Sequence, residues 1–168
     1  MLKYTLCLIR KGNEFLLLNR NKKPQMGMWN GVGGKIEEDE TPLESVVRES
    51  FEETGIQLTE VRYAGNVIFK SKNSREGMYV FISDLPDGEH VETPANTVEG
   101  ILEWKAINWI IDEDNRGVAN NLKAYLPLIL EGKLNLEHTF IYEQHSIVDY
   151  KIAEIIQEDI NLKCQIIS

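Results

Sequence analysis

The segment from Thr41 to Gly55 constrains this chain more than any other, because it carries the start and stop signals of one helix in the correct order. Thr41 can cap a helix N-terminus, Pro42 suits the first helical position, and Glu44 stands three residues after the cap, where its carboxylate can return a hydrogen bond. Gly55 supplies the C-terminal stop. The spacing therefore predicts a helix over about Pro42–Thr54. At about 100° per residue, Glu49, Glu52 and Glu53 fall within an arc of roughly 100°. Leu43, Val46, Val47 and Phe51 lie mostly opposite and are expected to pack on a sheet, with Ser50 at the edge of that apolar face. Arg48 stands four residues after Glu44 and four before Glu52, so it is expected to pair with either.

Three carboxylates on one face repel one another. Two unit charges about 6 Å apart do so by roughly 3 kcal/mol at an effective dielectric near 20, and a bound divalent cation would remove that penalty. Glu-rich faces are also common on solvated helices. The glycine-rich run Gly31-Val32-Gly33-Gly34 just upstream, where the backbone can turn sharply or approach a ligand, tips the balance towards a site.

Around this helix the patterning is that of a mixed α/β domain. Leu2–Ile9 and Glu14–Leu18 read as a hairpin across Lys11-Gly12-Asn13, and residues 19–28 as a surface loop. Leu58–Phe69 and Met78–Ile82 read as a strand pair joined by the polar turn Lys70–Gly77, followed by an acidic loop over Asp84–Asn96. Ile101–Ile107 reads as a strand and Val118–Leu130 as a helix that Pro127 should kink or shorten. Thr139–Tyr142 and Ser146–Ile152 form a late hairpin, and Ala153–Ser168 has no clear pattern. With 168 residues and no composition break, a single domain over 1–168 is expected.

Charge and composition exclude several function classes. A net charge of −9 opposes binding to polymeric nucleic acid, although a cation could still bridge a small anionic substrate to acidic side chains. No apolar run is long enough to span a membrane, and the start MLKYTLCLIRKG lacks a signal-peptide pattern, so the expected location is the cytoplasm. Cys7 and Cys164 have no local partner, and His90, His138 and His145 have no metal-ligand spacing; all five read as structural or bystander residues.

Gly34, Glu40, Arg48, Glu49, Glu52, Glu53, Gly55 and Ile56 together resemble the Nudix box, G-x5-E-x7-R-E-U-x-E-E-x-G-U, where U is bulky and aliphatic. Ser50 departs from it, at a position concerned with packing. The resemblance implies an α/β/α sandwich with a mixed β-sheet and a loop-helix-loop catalytic motif over residues 34–56. It also implies hydrolysis of a nucleoside diphosphate linked to another group. On the same ground Glu49, Glu52 and Glu53, with a backbone carbonyl near Gly34, would ligate Mg²⁺ or Mn²⁺, and Arg48 would orient them, with Glu40 sharing that role. The base that activates water is left among Glu52, Glu49 and Glu99, the last lying just before the Trp104 strand.

Within the family, WNGVGGK at residues 29–35 and Glu103-Trp104 resemble the 8-oxo-dGTP diphosphatase branch. That likeness implies a small nucleotide substrate read by Asn30, whose amide can both donate and accept, and by either Asn120 or Asn121. Arg20 matches a basic position that can touch phosphate, and Met26, Met28, Trp29 and Met78 could line a base pocket. Another nucleoside diphosphate derivative is the alternative substrate. A non-catalytic nucleotide sensor is the other alternative, and the full set of box carboxylates disfavours it.

Overall fold

The computed structural model describes residues 1–156 and 165–166. Its strands are β1 (Tyr4–Lys11), β2 (Glu14–Arg20), β3 (Trp29–Asn30), β4 (Glu60–Lys70), β5 (Arg75–Asp84), β6 (Ala95–Thr97), β7 (Gly100–Ala106), β8 (Leu136–Glu143), β9 (Ser146–Glu154) and β10 (Gln165–Ile166). Helices are α1 (Pro42–Thr54), α2 (Ile107–Ile111) and α3 (Asn120–Leu130). The strands form one mixed sheet in the order β6-β7-β2-β1-β5-β4-β8-β9, with β3 added to β2 and β10 to β4. β1 runs parallel to β5 and β4 to β8.

The unbroken apolar run in β1 follows from burial on both faces. Leu6 and Leu8 enter one core with Leu122, Tyr125 and Leu126 of α3, whereas Cys7 and Ile9 enter a second core with Val46 of α1. β2 divides in the same way, Phe15 and Leu17 facing α3 and Leu16 and Leu18 facing α1. Helices thus cover both faces of the sheet, giving the expected α/β/α sandwich. No helix among the described residues is long and apolar enough to cross a membrane.

The caps of α1 form as the sequence requires. Glu44 N–H donates to the Thr41 hydroxyl at 3.2 Å, and Thr41 N–H donates back to the Glu44 carboxylate at 2.8 Å. Gly55 adopts φ 76° and donates its N–H to the Phe51 carbonyl at 2.8 Å. Val46, Leu43 and Val47 pack on the second core as expected, but Phe51 does not, and small or polar residues take its share of the buried face. The buried residues of α1 are Ser45, Val46, Ser50 and Glu53, while Phe51 is 52% exposed. Small side chains explain the choice, because Ser45 and Ser50 let the helix approach β1 closely. The Ser45 hydroxyl lies 3.2 Å from that of Thr5. Ser50 packs beside the Cys7 thiol, whose pKa burial pushes up to about 12.

Other departures have local causes. The β4–β5 hairpin is longer than predicted because pairing continues through polar residues to Lys70↔Arg75, closed by Ser71 and Ser74. β3 directly follows the predicted 19–28 loop, and β6 lies at the end of the predicted acidic loop; both are short partners of longer strands. α3 begins two residues late, since Val118 and Ala119 bond instead to Trp29, and it passes Pro127 to reach Leu130. β9 takes in Ala153 and Glu154, and Gln165–Ile166 pair with Glu60–Val61; the remainder of the expected tail lies outside the described residues.

His138, 2% exposed, sits on β8 with Nδ1 2.7 Å from the Tyr150 hydroxyl, and burial lowers its pKa to about 4. Its protons therefore bind the unfolded chain more readily than the folded one. The stability this provides is complete above the ordinary histidine pKa of about 6.5 and is lost as pH falls towards 4. Thermal melts between pH 7 and 4 should show an acid-side loss of up to about 3 kcal/mol that is reduced in His138→Phe.

Candidate active site

β2 pairs with β1 only from Ile9↔Leu16 to Lys11↔Glu14, which leaves the N-terminal half of β1 open on that side. The segment 32–36 fills the vacancy. Cys7 N–H donates to the Val32 carbonyl at 2.7 Å, Thr5 N–H to Gly34 at 2.9 Å, and Ile36 N–H to Lys3 at 2.9 Å. So close an approach demands glycine at two points. A Cβ on Gly33, at φ +150°, would stand 2.1 Å from the Thr5 carbonyl oxygen, and one on Gly31 would stand 2.7 Å from that of Cys7.

This stitched loop faces the C-terminal half of α1. Gly33 N–H donates to the Glu53 carboxylate at 2.7 Å, and the Glu49 carboxylate rests where a Gly34 Cβ would otherwise be, at 2.5 Å. Arg48 gathers the remaining charges. Its Nε and Nη2 donate in a fork to the two Glu40 oxygens at 2.7 and 2.9 Å, Nη1 to Glu49 at 2.8 Å and Glu52 at 3.3 Å, and Nη2 to the Lys35 carbonyl at 3.2 Å. Pairing with Glu44 does not occur, because that carboxylate is engaged in the N-cap. Arg48 holds the Glu40 carboxyl at about 2, well below its ordinary value.

Glu53 has the opposite character. Burial, opposed by the Gly33 N–H and reinforced by Glu49, pushes its pKa up to about 7. Arg20 and Glu99 also act on it electrostatically, in opposite senses, so the end of β2 and the β6–β7 turn are brought to the same place. Glu49 is likewise raised, chiefly by burial. Arg20 Nε is buried without a hydrogen-bond partner, and Glu99 lies 3.7 Å from Lys22. Lys22 and the Gly33 N–H were not singled out from sequence, and nothing in their local spacing marks them.

The three box glutamates occupy one arc of α1, yet their side chains do not converge. Glu49 and Glu52 turn to Arg48, and Glu53 to Gly33, the nearest positive and donor groups. No group of three such ligands is assembled among the described residues. The donor set nevertheless fits a hard divalent cation: carboxylate oxygens, those of Glu49 and Glu53 raised in pKa by burial and like-charged neighbours, beside a loop whose Gly34 carbonyl retains a second lone pair. Glu52, with its side chain 59% exposed, is free to rotate towards the other two.

The base-reading candidates separate. Asn30 is buried, its Oδ1 accepting from Gly31 N–H at 2.8 Å and its Nδ2 donating to Gln25 at 3.2 Å. Asn120 is exposed, whereas Asn121 is buried with Oδ1 accepting from Leu122 N–H at 2.9 Å and Nδ2 unpartnered. Backbone bonds from Trp29 N–H to Gly117 at 2.7 Å and from Ala119 N–H to Trp29 at 3.0 Å bring Asn30 beside the start of α3.

A family model described as the NUDIX domain matches residues 3–125. The chain belongs to the Nudix family. This Nudix hydrolase is 30% identical over 156 residues to the uncharacterized Nudix hydrolase YvcI of Bacillus subtilis (strain 168), covering 89% of this chain and 93% of that one. It is 29% identical over 153 residues to the oxidized purine nucleoside triphosphate hydrolase of Mus musculus, covering 90% and 94%. The solved structure of the MutT protein from Bacillus halodurans matches at a TM-score of 0.74 and 26% identity, over 90% of this chain and 97% of that one. Nudix hydrolases generally act with divalent metal ions.

The glycine contacts separate folding from site geometry. Gly33→Ala meets backbone at an unfavourable φ and should lower stability by about 2 kcal/mol or more in denaturant titration. The atoms nearest a Gly34→Ala Cβ are the end of the Glu49 side chain, so the variant should melt near the wild-type temperature while losing most of any thermal stabilisation given by a millimolar divalent metal ion.

Proposed function

We propose that this Nudix hydrolase is a Mg²⁺- or Mn²⁺-dependent nucleoside triphosphate pyrophosphohydrolase that converts oxidised purine nucleotides, 8-oxo-dGTP above all, to the monophosphate and pyrophosphate. The observation carrying the proposal is the gathering of Glu49, Glu53, Arg20 and Glu99 about the Gly33–Gly34 loop. The full-length likeness to the mouse oxidized purine nucleoside triphosphate hydrolase supports the substrate class. The chain would act as one catalytic domain on the cytoplasmic nucleotide pool.

Glu49, Glu52, Glu53 and the Gly34 carbonyl would hold the cation. When bound, it supplies charge neutralisation for the phosphates and a more acidic water. The protein's own groups do the rest. Arg48, itself anchored on Glu40, keeps Glu49 from swinging into solvent. Arg20 offers its unpartnered Nε–H to a phosphate oxygen. Water attacks phosphorus, a bridging P–O bond breaks, and the proton passes to Glu52, Glu49 or Glu99. Asn30 and Asn121 read the base, Asn120 being turned to solvent.

Steady-state assays with 8-oxo-dGTP, ordinary nucleotides, nucleotide sugars and diadenosine polyphosphates test the substrate. A kcat/KM for 8-oxo-dGTP at least about tenfold above that for dGTP is expected; equal values would end the selectivity claim, and a better nucleotide sugar would replace the substrate. Glu52→Gln should lower kcat by about 10²–10⁴-fold with an unchanged melting temperature.

A further inference from the structure

The mixed sheet ends on two edges of unequal character. β6, at one end, has three residues, whereas β9, at the other, has nine. Among the described residues no strand pairs with the outer side of β9. An open strand of that length presents a row of N–H and C=O groups able to take a further strand. At its midpoint Tyr150 N–H donates to the carboxylate of its own neighbour Asp149 at 2.9 Å, a side-chain acceptor of the kind that an open edge leaves room for.

The side chains along β9 are self-complementary. Two copies of an edge strand related by a twofold axis pair antiparallel, and centring the pair on Tyr150 matches the whole of Ser146–Glu154 with itself. Asp149 of each copy then faces Lys151 of the other, and Val148 faces Ile152. Asp149 and Lys151 already lie 3.5 Å apart within one chain, on one face of the strand. Val148 and Ile152 are 51% and 48% exposed, and the register shift in the β8–β9 hairpin leaves Val148 without a partner on β8. The charges also choose the register. Moving the centre by one residue, to Asp149 or to Lys151, sets like charges directly opposite each other, which is unfavourable. Charged residues on an edge commonly discourage pairing; two apart and opposite in sign, these discourage the neighbouring registers and favour this one.

We propose that β9 is a dimerisation edge, through which two copies of this chain join their sheets by antiparallel β9–β9 pairing centred on Tyr150. Three strands, β5, β4 and β8, lie between β9 and β1, so the candidate active site is no part of the junction and the inference stands apart from the proposed substrate.

Sedimentation equilibrium of the full chain over the micromolar range tests it, and a monomer–dimer equilibrium is expected. Asp149→Lys turns both cross-strand charge pairs repulsive, as does Lys151→Asp, and each should raise the dimer dissociation constant about tenfold or more. Combining Asp149→Lys with Lys151→Asp restores opposite charges in exchanged places and should return the constant to within about threefold of wild type. All three variants should melt near the wild-type temperature, since both side chains are exposed, and Lys151→Asp carries the test if Asp149→Lys does not fold. A monomer at every concentration overturns the proposal and leaves the edge to a strand of another protein. A dimer that neither single change weakens overturns it as well, and so does a double change that fails to restore the dimer.

Discussion

The backbone ladder between the first half of β1 and segment 32–36 is the constraint on which the rest of the site depends. It exists because β2 parts from β1 beyond Ile9↔Leu16, leaving peptide groups that must find partners. Once the loop is pinned there, the Gly33 N–H and the Gly34 Cα are presented to α1 at fixed positions, and Glu53 and Glu49 meet them. The glycines at 31 and 33 are consequences of that proximity. Any side chain there would collide with the β1 backbone.

Electrostatics then sort the carboxylates into two kinds. Glu40, Glu49 and Glu52 share one guanidinium, which is a strong and directional interaction because Arg48 is partly sheltered and binds Glu40 through both nitrogens. Glu53 lies deeper and has only a backbone donor, so its pKa rises instead of falling. The cluster is thus held partly charged and partly near neutrality.

Much of the fold was legible in the sequence. The limits of α1 followed from Thr41, Pro42, Glu44 and Gly55, because capping is a local interaction among neighbours. The strand at β1 was read from its apolar residues, but its burial on both faces was not. The helix wheel grouped the glutamates correctly and placed Leu43, Val46 and Val47 on the sheet, but it misplaced Phe51. It ranked faces by hydrophobicity, whereas the contact with β1 selected small residues, Ser45 and Ser50, over Phe51. β3 and β6 were missed because strands of two and three residues owe their existence to partners, not to their own pattern. Helix spacing offered Arg48 either Glu44 or Glu52; the Glu52 pair forms, whereas Glu44 is occupied by the cap, and Glu40, outside the helix, binds Arg48 most closely because the chain folds back over the helix face.

By itself the sequence determined the helix, its carboxylates and the glycines before it, and with them membership of the Nudix family, since each depends on residues near one another in the chain. Only the tertiary structure decided which distant groups share the site. Arg20 and Glu99 reach Glu53 through the β2–β7 pairing of Arg20 with Gly100, and Asn30 meets the start of α3 through Trp29. It also distinguished buried Asn121 from exposed Asn120 and left the Tyr125 hydroxyl unmet on the same face. These are relations between strands and helices far apart in sequence, and sheet register, which no local pattern encodes, is what brings them together.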